Sequence, residues 1–263
     1  MALSDKDRLT SAGQQPLLGQ ALRFDSLLGR LVRLPFRLIP KQTVVPILSG
    51  RFRGKKWVVG SADHTYWVGT YEREKRRLFE RLVAPGSVVY DVGAHVGYYT
   101  LLASVLVGVK GSVYAFEPLP ANVRMLERHI KINRLSNVHV IEAAVSDHGG
   151  EACFRVASST VAGRLADDGN LRVRVVSLDD FVGSGKNPMP DLIKVDVEGA
   201  ELALFKGASR ILAKRHPVLF FDAHTSELKT ECTDLLTSLG YEVRVLSKLS
   251  VYGIWDLVAE YKR

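Results

Sequence analysis

The sequence predicts an α/β fold built on a doubly wound, mostly parallel sheet of seven strands with a terminal antiparallel strand. Three observations predict it. Residues Val88–Thr100 read as a short apolar strand that ends on an acid, crosses a glycine turn and enters an apolar helix. A second strand, Ser112–Phe116, ends on another acid, Glu117, near the distance at which dinucleotide folds place a ribose-binding carboxylate. From Ser87 onward, short β-rich runs alternate with helical periods, the order that covers both faces of a parallel sheet with helices.

With 263 residues and 46% hydrophobic content, the chain can bury one α/β core and carry an N-terminal extension, here drawn as residues 1–83 ahead of a domain at 84–263. The charge divides at the same place. Residues 1–83 hold 16 Lys and Arg against 7 Asp and Glu, whereas residues 84–263 hold 20 against 21. On a helical wheel Arg23, Arg30, Arg33 and Arg37 share one quadrant, and Phe24, Leu27, Leu28, Leu31 and Leu38 occupy another face. Such a stretch, residues 20–41, could make peripheral contact with an anionic membrane surface or pack on the catalytic domain with its arginines in solvent. Pro35 and Pro40 limit its helical length.

Val44–Leu48 and Trp57–Val59 predict a hairpin around a basic loop. That loop lacks the interleaved stacking aromatics of a nucleic-acid groove, so nucleic acid is not indicated as a partner. Residues 71–83 predict a helix with Leu78, Phe79 and Leu82 inward, stopped by Pro85-Gly86. A strand then runs to Asp91 and a helix covers Val96–Val107. Next come strand Ser112–Phe116, helix Pro120–Asn133 and strand Val138–Ile141. Ala152–Val156 and Arg172–Val176 read as an added β-pair. Strand Leu192–Val195, one helix over Glu201–Ala213, strand Val218–Phe221 and a helix at Ser226–Leu239 follow, and Val243–Leu246 with Ile254–Ala259 makes a terminal antiparallel hairpin. Cys153 and Cys232 stand far apart with no neighbouring His pair, which argues against a disulfide framework or a zinc site. The longest apolar run, Leu101–Val109, is too short to span a bilayer, and the N-terminus lacks a signal-like pattern, so a cytoplasmic setting is expected.

The glycine loop carries the chemistry. Gly93 and Gly97 allow a sharp turn and close approach of backbone to ligand, and amides at the helix start can meet an anion. The loop reads Gly93-Ala94-His95-Val96-Gly97, so the middle glycine that makes room for a pyrophosphate is absent. An acid before the turn suits a cofactor with an ammonium group, such as S-adenosylmethionine. Downstream, Lys194, Asp196 and Glu198 alternate around one strand end, and Asp222 and His224 follow the next. In an open α/β sheet these ends face one crevice. Methyl transfer needs an acceptor oxygen aligned with the methyl group and a residue to take its proton, for which Asp196 and His224 are the candidates. Asp196, Glu198, Asp222 and His224 also form a hard-ligand set that could hold a divalent metal, although no metal is assigned. His95 could flank the cofactor and His64 the substrate side, while His129, His139, His148 and His216 are expected at the surface.

Together these segments resemble the FkbM family of S-adenosylmethionine-dependent methyltransferases, which have the class I Rossmann-like fold. The resemblance rests on Gly69-Thr70-Tyr71-Glu72, the loop from Asp91 to Thr100, Phe116-Glu117-Pro118, Ser177-Leu178-Asp179-Asp180 and Ile193-Lys194-Val195-Asp196-Val197-Glu198-Gly199, and covers about residues 65–225. Where the family pattern usually has Glu, this chain has Asp222. The resemblance implies that Asp91, Gly93, Ala94 and Gly97 hold the methionine part of the cofactor, with Tyr71 and Glu72 closing over it. It implies that Glu117 binds ribose beside Pro118 and Asn122 and that Glu142 and Ala143 meet adenine, while the strand-end position of Asp196 puts it where methyl and acceptor should meet. It further implies O-methylation of a sugar, glycolipid or secondary-metabolite hydroxyl, and the polar stretch Ala157–Asn170 could by its composition serve as an acceptor loop. The alternatives are a nicotinamide-dependent oxidoreductase, disfavoured by the missing glycine, and a non-catalytic binding module, disfavoured by the intact acids.

Overall fold

The structure, a computed structural model, describes Phe36 and residues 38–156, 163–166, 168–249 and 254–262. Nearly all of the basic stretch over residues 20–41, and residues 157–162 and 167 of the expected acceptor loop, lie outside the described residues. The chain divides into two compact units, Met1–Thr43 and Val44–Arg263. The hairpin and lead-in helix thus fall in the same unit as the sheet.

Strands β1 (Val44–Pro46) and β2 (Lys56–Val58) pair antiparallel with Val45 opposite Trp57. Helix α1 (His64–Val68) starts where Asp63 accepts a hydrogen bond from the Thr65 amide, and α2 (Arg73–Leu82) buries Arg76 and Phe79. The main sheet then begins. β3 (Val88–Val92), α3 (Tyr98–Val107), β4 (Ser112–Phe116), α4 (Pro120–Asn133) and β5 (Val138–Ile141) wind in one direction, all strands parallel. Helix α3 is buried on nearly every side, and its apolar run ends in a 3-10 turn that leaves Val109 in solvent.

The chain next leaves the sheet. β6 (Ala144–Val145), β7 (Gly150–Val156), β8 (Gly163–Leu165) and β9 (Leu171–Val176) form a second, four-stranded sheet in the order β6-β9-β7-β8. The added pair is therefore half of a small sheet whose short outer strands carried no periodicity in the sequence. After α5 (Leu178–Gly183), β10 (Leu192–Val195) returns to the far side of β3 and pairs parallel with it. The winding reverses between β3 and β10, the switch point where such sheets open a crevice.

A single helix was expected over Glu201–Ala213, but α6 (Glu201–Lys206) and α7 (Ser209–Lys214) are separate. The break has a packing cause. A side chain at Gly207 would collide with the Ser146 carbonyl, and the Gly207 carbonyl accepts a hydrogen bond from the Asp179 amide. Asp179 in turn takes the amides of Arg210 and Ile211, capping α7, while the Ser177 hydroxyl caps α5. The Ser177–Asp180 motif thus serves helix starts. β11 (Val218–Ala223), α8 (Ser226–Ser238), β12 (Tyr241–Leu249) and β13 (Ile254–Tyr261) complete the sheet in the order β12-β13-β11-β10-β3-β4-β5. β13 alone runs against the rest. Cys153 and Cys232 are free thiols, and no helix among the described residues is long and apolar enough to cross a membrane.

His129 is not at the surface as expected; it is fully buried. Its ring stacks on Trp57 at 4.0 Å, Nε2 accepts the Val58 amide at 3.1 Å and Nδ1 stands 2.8 Å from the Val96 carbonyl. Hairpin, α4 and glycine loop are therefore joined through one neutral imidazole. Asn122, Val123, Leu126 and His129 form the buried face of α4, so the helical spacing contained the signal.

Two predictions follow from this packing. Burial lowers the His129 pKa from 6.5 to about 4, so the unfolded chain binds one more proton than the native state between those values. Stability should therefore fall as pH drops from about 6.5 towards 4, by about 3 kcal/mol more than in a His129→Gln variant, measured by denaturant unfolding. Gly93 has a φ of 77°, and a side chain there would overlap the Asp196 carbonyl. Gly93→Ala should cost more than ~2 kcal/mol in the same assay, combining left-handed strain with a backbone collision.

Candidate functional site

A cavity of about 310 Å³ opens at the carboxyl ends of β3, β4 and β10. This lies within the range of small-molecule sites. One wall is apolar. Phe116 ends β4, Ala143 follows β5, and Ala144, Val145, Phe154 and Leu165 come from the second sheet. Another wall is aromatic: Tyr66 and Tyr71 stack at 3.9 Å, with Tyr98 edge-on to both and Tyr99 beside it. Lys194, Asp196 and Glu198 supply the charged side.

Glu117 projects from the end of β4 and is 4% exposed. Its Oε2 accepts the His95 amide at 2.8 Å, and Oε1 accepts the Leu119 amide at 3.0 Å and the Asn122 side chain at 3.1 Å. Burial raises its pKa, and these donors oppose the rise. A carboxylate has about four lone-pair directions, so one remains for a ligand hydroxyl. The loop amides are arranged differently from expectation. Those of Gly93 and Ala94 both bond the Phe116 carbonyl at 3.0 Å and that of His95 bonds Glu117, so these three are spent holding the loop to β4.

Of the expected cofactor residues, Tyr71, Gly93, Ala94, Glu117, Pro118, Asn122, Ala143 and Asp196 line the cavity. Four do not. Asp91 is fully buried beneath the loop, where the Thr100 hydroxyl donates to it at 2.6 Å and Lys194 stands 3.6 Å away. Gly97 starts α3 and packs against Leu126. Glu72 accepts the Tyr99 hydroxyl at 2.7 Å, and Glu142 points into solvent just before the lining residue Ala143. His95 lines the cavity and burial lowers its pKa, whereas His64 is not part of the wall.

Two buried cations organise the acids. Lys194 sits on a strand with no exposed residue, bridging Asp91 and Asp196 at 3.6 Å each and facing the Tyr99 ring. Burial disfavours its charge, but Asp196 and Asp91 outweigh that and raise its pKa. Lys75, on α2, lies 2.6 Å from both Asp222 oxygens, 3.1 Å from Asp256 and 3.6 Å from Glu72. Asp222 is thus committed to Lys75 and leaves the expected ligand set. Asp196 has its pKa lowered: burial works against the carboxylate, and Lys194, Lys75 and His224 prevail.

His224 lies behind Asp196 and Glu198, outside the cavity wall. Its Nδ1 is 2.7 Å from Glu201, and Nε2 is 3.3 Å from Glu198 and 3.6 Å from Asp196. Burial alone would lower its pKa, but the Glu201 bond and the surrounding acids raise it to about 9. An imidazolium at neutral pH replaces the expected base poised near neutrality. Tyr66, Tyr98, Phe154, Leu165 and Glu201 were not foreseen. Tyr98 falls inside the glycine-loop motif and Glu201 opens an expected helix, but Tyr66, Phe154 and Leu165 reach the site only through tertiary packing.

Residues 91–243 match the family model described as the methyltransferase FkbM domain, more than half of the chain. The hexuronic acid methyltransferase AglP of Haloferax volcanii is 27% identical over 181 residues, covering 67% of this chain and 73% of that protein. Methyltransferase 1 of Beauveria bassiana is 24% identical over 145 residues, covering 46% and 58%. The solved structure of methyltransferase FkbM from Methylobacillus flagellatus superposes with a TM-score of 0.50 at 19% identity, over 76% of this chain and 56% of that one, and shares the fold. The loop that opens at Asp91, the acid at Glu117 and the Lys194–Glu198 strand end all lie within the matched span, and this chain is a methyltransferase of the FkbM family.

Proposed function

We propose that the chain transfers a methyl group from S-adenosylmethionine to a hydroxyl of a sugar, glycolipid or secondary-metabolite acceptor. The observation that carries this reading is the cavity itself. It sets an acceptor-only carboxylate, Glu117, beside an apolar slot, and sets the anionic Asp196 on the same wall line as Lys194. A ribose hydroxyl suits the remaining acceptor position of Glu117, and adenine suits the slot between Phe116, Ala143, Ala144 and Leu165. The sugar acceptor class draws on the likeness to a hexuronic acid methyltransferase.

When bound, S-adenosylmethionine would supply a methyl group activated by its sulfonium. The protein's part is placement and charge. Tyr66, Tyr71, Tyr98 and Tyr99 keep water from the methyl end, and Asp196 accepts the hydrogen bond of the incoming hydroxyl and orients its oxygen. Transfer would exchange the sulfonium's C–S bond for the acceptor's C–O bond, with the thioether as leaving group, and Asp196 would take the hydroxyl proton and pass it to solvent. His224 touches Asp196 and Glu198 and so positions them.

Calorimetry with S-adenosylhomocysteine and with NAD tests the cofactor assignment. Binding of the first and not the second is expected; tight NAD binding without a response to the thioether would overturn it. Glu117→Gln should weaken S-adenosylhomocysteine at least tenfold, since one acceptor for the ribose becomes a donor (~1.4 kcal/mol or more). An isotope-labelled methyl group traced by mass spectrometry into extract metabolites should appear on an oxygen; label on nitrogen or carbon would refute O-methylation.

A further inference from the structure

We propose that Asp196, Glu198 and His224 form a binding site for a divalent cation of the Mn²⁺ class, open towards the cavity. One ligand atom from each residue lies within 4.8 Å of the other two, and the imidazole Nε2 stands 3.3 Å from Glu198 and 3.6 Å from Asp196. Donors about 2.1 Å from one ion stand roughly 3.0–3.4 Å apart, so only small side-chain shifts close the set. Two carboxylate oxygens and one imidazole nitrogen suit a cation between the hard and borderline classes.

A second observation lies behind the ligands. Glu201 is fully buried, and its Oε1 holds Nδ1 of His224 at 2.7 Å, which leaves Nε2 as the free ligand nitrogen. Carboxylates placed in this way orient metal-binding histidines. The other oxygen, Oε2, is buried without a hydrogen-bond partner. A carboxylate spans little more than 2 Å, so this unsatisfied oxygen stays close to the same imidazole. The local cations cannot compensate it, because Lys194 is divided between Asp91 and Asp196, and Lys75 among Asp222, Asp256 and Glu72. Among the described residues, His224 is the ion-pair partner of both Glu198, at 3.3 Å, and Glu201, at 2.7 Å. A divalent ion would take the place of the Nε2 proton, which leaves to solvent, and add the missing positive charge.

Asp196 and Glu198 line the cavity, so the remaining coordination positions face the space assigned to the acceptor. An acceptor hydroxyl bound there would be held in line and made more acidic. This role rests on the methyl-transfer reading; binding of the ion does not.

The test uses the full chain after chelator treatment, titrated with Mn²⁺ and followed by the loss of the free-ion paramagnetic resonance signal. One Mn²⁺ per chain is expected, weakened at least tenfold in Glu198→Gln and in His224→Asn. Glu198 is half-exposed, so its variant should keep the fold, verified by circular dichroism. No saturable uptake up to about 1 mM, or uptake unchanged in both variants, would overturn the site. S-adenosylhomocysteine binding measured on the same samples separates the two ideas. Nucleoside binding without Mn²⁺ uptake removes the metal site and leaves methyl transfer standing, and the reverse result removes methyl transfer and leaves the metal site.

Discussion

Lys194 occupies the second-last position of a strand that has no exposed residue, directly beside Asp91 in the neighbouring strand, with Asp196 two residues on. A charge in that place is tolerable only because both carboxylates lie 3.6 Å away and the Gly93 carbonyl accepts at 3.3 Å. The arrangement ties the end of β3, the end of β10 and the glycine loop into one electrostatic unit at the switch point of the sheet. Removing either acid would leave a buried ammonium with half its compensation. The crevice therefore holds its shape through charge as much as through apolar packing.

The second cation extends this logic outward. Lys75 belongs to the lead-in helix, yet its partners Asp222 and Asp256 stand on β11 and β13. Burial disfavours its charge, and the acids raise its pKa regardless. With His129 binding the hairpin to α4, the segment before residue 84 becomes a wall of the cavity, and its Tyr66 and Tyr71 face the ligand space. The family match begins at residue 91, so Tyr66 and Tyr71, half of the aromatic wall, are contributed from outside the matched span.

Some predicted roles shifted between neighbouring residues. Asp91 was read as a cofactor contact because it precedes the glycine turn; in the structure it supports the loop through Thr100 and Lys194. Gly93 was read as making room for a ligand, and the group it admits is the Asp196 backbone. Residue type and spacing told correctly that something close and something charged were required there. They did not tell whether the partner was a ligand or another part of the chain, because a strand end pointing into a crevice and one pointing beneath it share the same local pattern.

Alternating apolar and helical periods determined the main strands unaided: Ser112–Phe116, Val138–Ile141 and Leu192–Val195 were bounded from sequence as they stand in the structure. Helix Pro120–Asn133 was too. The acids at the carboxyl ends followed, since a parallel sheet sends every such end to one side. Tertiary structure alone decided which acids are neutralised by Lys75, Lys194 and His224, where the helix after Glu201 breaks, and which aromatic rings close the cavity. Those outcomes depend on contacts between residues as far apart as Lys75 and Asp256, 181 positions along the chain. Local periodicity reports the face a side chain takes on its own element, and carries no record of what meets it there.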